Sequence, residues 1–446
     1  MNIENLKSVL LINLVVISVF LTFNLWTYVP DSSKLQNTKY LQDNTEVEQK
    51  SLANVILPSL VLFHKENTHL GSENIANIDP LYKLFERGEL YDFKDISNDI
   101  PKQQFFSFVR GKNKIEMIFP THIPLDSMKD VFKIKEKVPE SCSFNRIMID
   151  LSKSRDGNMP VYFISYEHRK VYHMVLKGIT LRELETARDQ FTANARDYSQ
   201  YTLSDTREIF LPDTKTDMQR MGYLVSDISE DIFINALFTD PRYVKKLSDE
   251  RENTYTDGIR LMQVLKKKQM LQYTNSVASE QAHNVYGTAL VQRSFDFING
   301  HGGLTDSYRF DYMKSTTGKT TYRLYVDSLP VFNESGMAAM EQVWGAGELI
   351  SYKRPLFKLN IKYGDDQTIS LADGKTVIQS LEKNENVDMK LIQDIRLGYK
   401  LTPEAGTDGK NIAAVNLKPI WYVVYGEDNK VQEWSEEKGG ELIGLE

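Results

Sequence analysis

The sequence contains very little cysteine: Cys142 is the only one in 446 residues. A single cysteine cannot form an internal disulfide, so the sequence excludes a secreted scaffold held together by disulfide bonds. The chain is not basic either, since its net charge at pH 7 is −7. This charge argues against nucleic acid and against anionic lipid headgroups as broad partners.

The sequence also lacks the motifs of common hydrolases and nucleotide-binding proteins. It has no HExxH zinc motif and no GxSxG nucleophile elbow. The glycine-rich stretches at residues 298–304 and 343–349 lack the lysine of a phosphate-binding loop, and we interpret them as loops that need positive φ. Cys142 has no nucleophile signature around it and is interpreted as a buried thiol.

The seven histidines do not form a recognisable metal-binding pattern. His64 and His69 are five positions apart, as are His168 and His173. Five positions correspond to about 140° around a helix and to opposite faces of a strand, so we expect neither pair to converge on a metal. We interpret these histidines as surface or hairpin residues. With no metal, cofactor or catalytic residue predicted, a non-enzymatic binding or regulatory protein is favoured; an extracytoplasmic cell-envelope hydrolase and a passively anchored scaffold are the alternatives.

One long hydrophobic run is present, with no charged residue between Lys7 and Asp31. A helix over residues 9–29 would be about 31 Å long, which matches the bilayer hydrocarbon. The run has no Ala-x-Ala-like cleavage triplet, so we predict a retained single transmembrane helix and not a signal peptide. Lys7 at its start and Trp26 and Tyr28 at its end are predicted interfacial anchors, which favours a cytoplasmic N-terminus and an extracytoplasmic body.

The predicted span carries polar side chains suited to helix–helix contact. Asn13 and Asn24 lie within about 20° of each other on a helical wheel. Ser18 and Thr22 form a small-xxx-small pair on nearly the opposite face, so one helix could contact two neighbours. The alternative is a passive anchor whose amides reach toward the headgroups. The predicted contact residues are Asn13, Ile17, Ser18, Phe20, Thr22 and Asn24.

The rest of the sequence predicts an α+β fold. "DPLYKLFERG" contains a helix start and a glycine stop, and Thr180 with Glu183 forms a capping box. Two later stretches repeat the order helix, loop, strand, turn, strand, with turns at residues 317–319 and 408–410. In the first of them, the alternation of Tyr308, Phe310 and Tyr312 predicts a strand with one buried face in an antiparallel sheet. The predicted division is a cytoplasmic tail at 1–8, a transmembrane helix at 9–29, a juxtamembrane linker at 30–51, and α+β domains at 52–205, 206–303 and 304–446, the last two similar antiparallel-sheet-plus-helix units.

Three stretches resemble the YycH (WalH) family of Firmicutes: "KSVLLINLVVISVFLTFNLWTYVPD", "TYRLYVDSLPVFN" and "LKPIWYVVYGED". The last two are also similar to the related YycI protein. The resemblance covers essentially the whole chain and implies a non-catalytic regulator of the sensor histidine kinase YycG (WalK), which governs cell-wall metabolism. It implies a single membrane helix, a three-domain extracytoplasmic region, and action together with YycI through transmembrane contacts. It supplies no catalytic residues and leaves open whether the kinase is restrained or supported.

Overall fold

The computed structural model describes five residues near the N-terminus and most of the chain from Lys50 to Glu446. The residues not described after Lys50 are 67, 130, 279–286, 346, 407–410 and 427. The chain divides into two units, Met1–Gln42 and Asp43–Glu446. Each unit is described by itself below.

In the Met1–Gln42 unit the described residues are helical and exposed: Leu14, Val15, Ile17, Ser18 and Leu21. Among the described residues, no helix has both the length and the apolar character to cross a membrane. Apart from those five positions, the predicted span at residues 9–29 lies outside the described part of the chain, and so does most of the linker at 30–51. Both stay predictions.

The Asp43–Glu446 unit contains seven described α-helices. Two of them, α2 and α4, pack against each other. The helices are Leu52–Val55 (α1), Ile75–Arg87 (α2), Phe105–Arg110 (α3), Leu181–Ala193 (α4), Asp231–Leu237 (α5), Gly287–Gly300 (α6) and Gly374–Lys383 (α7).

The first sheet of this unit has nine described strands, and all their pairings are antiparallel. Its spatial order is β3-β7-β6-β5-β4-β1-β2-β8-β9. The strands are Leu60–His64 (β1), His69–Ser72 (β2), Glu89–Asp95 (β3), Lys114–Pro124 (β4), Ser143–Asp150 (β5), Met159–Ser165 (β6), Lys170–Lys177 (β7), Arg196–Ser204 (β8) and Arg207–Pro212 (β9).

Both faces of the first sheet are covered at its centre. Ile147 and Phe163 belong to the main core together with apolar residues of α2 and α4. The alternate positions Met148 and Tyr162 pack with α3 on the other face. Because side chains alternate along a strand, coverage of both faces explains why β5 and β6 are almost continuously buried.

Two helix ends in this region test the sequence predictions. The capping box at Thr180 is confirmed, since its hydroxyl accepts the Glu183 N–H and the Glu183 carboxylate accepts the Thr180 N–H. The glycine stop is confirmed at Gly88. The predicted helix start in "DPLYKLFERG" is wrong, because α2 begins at Ile75 and contains Pro80. The side chain of Asn74 caps it by accepting a hydrogen bond from the Ala76 N–H at 3.0 Å.

The second sheet has fifteen described strands. They are Thr216–Asp227 (β10), Lys245–Ser248 (β11), Glu252–Thr256 (β12), Arg260–Leu265 (β13), Met270–Asn275 (β14), Tyr308–Lys314 (β15), Lys319–Val326 (β16), Leu329–Phe332 (β17), Ala339–Trp344 (β18), Leu349–Pro355 (β19), Phe357–Leu371 (β20), Ile392–Ala405 (β21), Ile412–Tyr425 (β22), Lys430–Ser435 (β23) and Glu441–Gly444 (β24). Strand β10 lies between β20 and β22, so this sheet combines strands from the predicted segments 206–303 and 304–446. The domain boundaries themselves stay predictions.

The repeated element order is confirmed: α6 leads to β15 and β16, and α7 leads to β21 and β22. At the first turn, Gly318 has φ +63°, and a Cβ there would overlap the carbonyl oxygen of Trp344. The second predicted turn, at 408–410, lies outside the described residues. The prediction that Tyr312 continues the buried face is wrong, because a bulge after Phe310 shifts the register and Tyr312 faces a cleft instead.

Candidate functional site

A cleft of about 1400 Å³ lies in the Asp43–Glu446 unit, between the two sheets. The first sheet contributes residues of β4, β5 and β9 and the turn between β6 and β7. The second sheet contributes residues of β15, β16, β18 and β21–β23. Its lining combines aromatic side chains with many charged ones of both signs.

Arg323 organises one wall of the cleft. Its Nε donates to Asp311 Oδ2 at 2.7 Å, and its Nη1 and Nη2 donate to the two carboxylate oxygens of Glu446 at 2.7 and 2.8 Å. Burial alone would lower the pKa of Arg323, but the two carboxylates outweigh burial and raise it well above its usual value. The paired, two-point contact fixes the position of Glu446 beside β16.

Arg396 makes the corresponding contacts on β21. Its Nε donates to Asp394 Oδ2 at 2.6 Å, and its Nη1 donates to the hydroxyl of Ser59, which lies just before β1. This hydrogen bond joins the second sheet directly to the first-sheet region at the cleft.

On the opposite wall, His122 Nε2 donates to Glu167 Oε2 at 2.9 Å, and the Asn145 amide donates to the same oxygen at 2.9 Å. Burial raises the pKa of Glu167, but the hydrogen bond and charge of His122, together with the charge of Arg146, outweigh it and lower the pKa to about 2. Ser165 Oγ lies 3.4 Å from His122 Nδ1. This order of serine, histidine and carboxylate resembles a hydrolase triad, but Ser165 is only 2% exposed and is not part of the cleft lining, so it presents no nucleophile there.

A buried charge network lies behind this wall. His64 Nε2 donates to Glu116 Oε2 at 2.9 Å, and Arg146 donates to Glu116 Oε1. Burial raises the pKa of Glu116, but the charge of Arg146 and the hydrogen bond from His64 outweigh it and lower the pKa to about 2. Arg146 also lines the cleft, where its guanidinium lies 3.6 Å from the Tyr166 ring centre.

His64 and His69 meet each other, so the expectation that their spacing places them on opposite faces is wrong; the expectation that they do not converge on a metal stays a prediction. Their Nδ1 atoms are 2.8 Å apart, so one ring donates a hydrogen bond to the other. The rule of opposite faces holds along one strand, but the chain turns between these residues, and His64 and His69 are directly paired across β1 and β2. Burial, with the charges of His64 and Arg110, lowers the pKa of His69 to about 4.

The structure tests the other site predictions only in part. In the described residues, no group of three or more His, Cys, Asp or Glu side chains is arranged to hold a metal ion. Cys142 is confirmed as a buried thiol, and burial raises its pKa. Of the predicted span contacts, Ile17 and Ser18 are described, as helical and exposed. The predicted contact and anchor residues outside the described part are Lys7, Asn13, Phe20, Thr22, Asn24, Trp26 and Tyr28.

Sequence reasoning missed the cleft and its charges. Some partners that meet there are far apart in the sequence: Ser59 and Arg396 are 337 positions apart, and Arg323 and Glu446 are 123 apart. No local motif signals such a pairing. A usable signal existed only for His64 and His69, which flank the polar stretch "KENT" between two apolar runs, a pattern typical of a hairpin.

Family models cover almost the whole chain. The model of the YycH protein N-terminal domain matches residues 4–193, and that of the YycH protein C-terminal domain matches residues 206–436. The chain belongs to the YycH family. A curated member of that family, the two-component system WalR/WalK regulatory protein YycH of Bacillus subtilis strain 168, is 25% identical over 432 residues, which is 94% of each chain.

A solved structure supports the fold. The crystal structure of YycH from Bacillus subtilis has a TM-score of 0.74 and 22% sequence identity, and the match covers 89% of this chain and 100% of that one. A protein from Eubacterium rectale matches 56% of this chain at 8% identity with a TM-score of 0.34, which is too weak to argue from. The mixed, sheet-rich architecture is therefore that of YycH.

Proposed function

We propose that this chain is a non-catalytic, membrane-anchored regulator of a WalK-type sensor histidine kinase that controls cell-wall metabolism. The observation that carries this proposal is the end-to-end match to a relative that is named as a WalR/WalK regulatory protein. Both family models support it, because together they extend from residue 4 to residue 436. A match over the whole length favours a shared role more than a match to one module would.

The proposed location is the cell membrane, with residues 1–8 in the cytoplasm, one helix at 9–29 and the body outside the cell. Its support is the uncharged run of the sequence and the absence of a cleavage triplet in it. Intact mass of protein extracted from membranes tests this proposal: the full chain is expected. A mature form in the medium that lacks about the first thirty residues would contradict it.

In the proposed mechanism, the span packs beside helices of the kinase and of a YycI-like partner, while the body contacts their extracytoplasmic parts. Regulation then needs only that this chain binds one state of the kinase more tightly than the other. Each interhelical polar contact contributes about 0.5–2 kcal/mol, which is sufficient to shift a balanced equilibrium.

The test is a WalK-dependent reporter in cells in which the native gene is replaced by variants. Asn13→Leu with Asn24→Leu is expected to weaken both co-purification of the kinase and control of the reporter. Val15→Leu is the matched control, because it exchanges one apolar side chain for another in the same run, and it should leave both readouts unchanged. Full retention of both readouts in the double asparagine variant would remove these contacts from the mechanism.

A further inference from the structure

A turn made of three successive lysines joins β13 to β14 in the second sheet. Its residues are Lys266, Lys267 and Lys268. Lys267 and Lys268 are exposed, and within the described part of the chain neither forms an ion pair. Lys266 Nζ donates to Ser248 Oγ at 3.3 Å, which holds this lysine turn against the end of β11. The turn is therefore a local positive surface on a chain whose net charge is −7.

Carboxylates on the neighbouring segments bind other donors. The carboxylate of Asp249 accepts two backbone N–H groups of its own turn, at 2.7 and 2.8 Å. Asp227 accepts the side-chain amide of Gln269, directly after the lysine turn, at 2.6 Å. Because neither carboxylate binds Lys267 or Lys268, these two ammonium groups are available to an anionic partner.

An exposed apolar side chain lies beside the lysine turn. Leu247 on β11 is 67% exposed, and the next residue, Ser248, is the one that binds Lys266. Strand β11 is an edge of the second sheet, and all four of its side chains are exposed. An isolated exposed leucine is common, but an apolar group next to several lysines suits an anionic lipid surface, where the cations contact headgroups and the apolar group enters the interface.

A short series of hydrogen bonds connects the lysine turn to the place where the predicted juxtamembrane linker ends. The backbone oxygen of Gln269 accepts the Leu356 N–H at 2.7 Å. Three residues further on, the Leu359 N–H donates to Asp306 Oδ1 at 3.1 Å. The backbone oxygen of Asp306 in turn accepts Lys50 Nζ at 2.7 Å. Since Lys50 lies at the end of that linker, the lysine turn belongs to the part of the body that the linker enters.

We propose that the lysine turn docks on anionic phospholipid headgroups of the membrane that anchors the chain, with Leu247 entering the interface beside it. Each lysine close to an anionic lipid surface strengthens association about fivefold. The acidic balance of the whole chain opposes this only weakly, because charges beyond a Debye length of about 8 Å are screened. The inference rests on the proposed membrane anchoring and goes beyond it, since an anchor alone does not orient the body.

The test uses the full-length chain in two kinds of nanodisc, one of phosphatidylcholine alone and one of phosphatidylcholine and phosphatidylglycerol in equal parts. Lysines are acetylated briefly and their rates of modification are measured by mass spectrometry. We expect Lys267 and Lys268 to react several-fold more slowly in the anionic nanodiscs, and high salt should abolish the difference. Lys438, exposed in the turn between β23 and β24, is the control site and should react equally in both.

A variant tests whether the lysines cause the docking. In the wild type, hydroxyl-radical oxidation of Leu247 should be slower in the anionic nanodiscs than in the neutral ones. Lys267→Gln with Lys268→Gln should abolish this protection, whereas Lys438→Gln is the matched control and should retain it. Circular dichroism should be unchanged in all variants, because these side chains are exposed.

The outcomes separate the docking from the anchoring. A chain that stays in the nanodiscs but shows equal lysine rates in both lipid compositions would overturn the docking alone and would favour an acidic protein surface as the partner of the turn. Protection of Leu247 that persists in the double lysine variant would also overturn it. A chain that is retained by neither kind of nanodisc would contradict the proposed anchoring, and the docking with it.

Discussion

His64 Nε2 lies 2.9 Å from Glu116 Oε2, and both side chains have no exposed surface. Arg146 binds the other oxygen of Glu116. One carboxylate therefore compensates two buried nitrogen donors at the centre of the first sheet. A buried network of this kind is stable only while every member has its partner.

Removing the charge of Glu116 should be costly. Glu116→Gln leaves Arg146 as an uncompensated buried charge, and we expect a loss of about 3–5 kcal/mol in the free energy of unfolding. Urea unfolding followed by circular dichroism measures this loss. Glu66→Gln is the control, because its ion pair with Lys112 is exposed, with side chains 73% and 58% accessible, and should change stability by about 0–1 kcal/mol. Equal small losses in both variants would contradict the role given to Glu116.

The His64–His69 pair predicts a dependence of stability on pH. Burial lowers the pKa of His69 to about 4, below its ordinary value of 6.5. Between these values the unfolded chain binds more protons than the folded one, so this contribution is complete above pH 6.5 and is lost as the pH falls toward 4. Asp306, whose pKa burial raises to about 6, acts in the opposite direction.

Comparing the pH dependence of the unfolding free energy between the wild type and a His69 variant isolates the contribution of His69. We expect His69→Gln to lose less stability than the wild type between pH 6.5 and 4, as measured by urea unfolding at several pH values. Thr186→Ala, which changes no titratable group, should retain the wild-type slope in that window. Parallel curves of unfolding free energy against pH for the wild type and His69→Gln would show that this histidine does not cause the loss of stability at low pH.

The capping box of α4 makes a local prediction. Thr180→Ala removes the hydroxyl that accepts the Glu183 N–H and should cost about 1 kcal/mol of unfolding free energy. Thr186→Ala, in the middle of the same helix, is the control and should be neutral or slightly stabilising, because alanine is the better helix former. Thermal or urea unfolding distinguishes the two, and equal effects would mean that the cap is not formed in solution.

Two glycines that both have positive φ should respond differently to alanine. Gly157 has φ +71° with nothing near its missing Cβ, so Gly157→Ala should cost about 1–2 kcal/mol from the left-handed backbone alone. Gly318→Ala meets the Trp344 carbonyl in addition and should cost more than that. The difference between their unfolding free energies is the measurement, and equal losses would show that the turn next to Trp344 can open.

The sequence predicted the features that depend on neighbours along the chain. The capping box at Thr180 and the glycine stop at Gly88 follow from residues within a few positions. The helix start predicted in "DPLYKLFERG" is wrong because the helix begins earlier, at Ile75. The prediction for Tyr312 is wrong because of pairing between strands, where a bulge shifts the register. Strand pairing also brings His64 against His69, which their spacing along a single strand would keep apart.

The cleft could not be predicted for the same reason. Its ion pairs join residues such as Arg323 and Glu446, whose approach depends on the whole sheet and on no local pattern.

The central claim, that this chain controls a kinase through its own membrane helix, is tested most directly by exchanging residues 9–29 for an unrelated apolar span of equal length. The readout is the WalK-dependent reporter, with equal amounts of wild-type and exchanged protein in the membrane. The account predicts that the exchanged protein stays in the membrane and no longer controls the reporter. Reporter control equal to that of the wild type would show that the helix is only an anchor and would contradict the account.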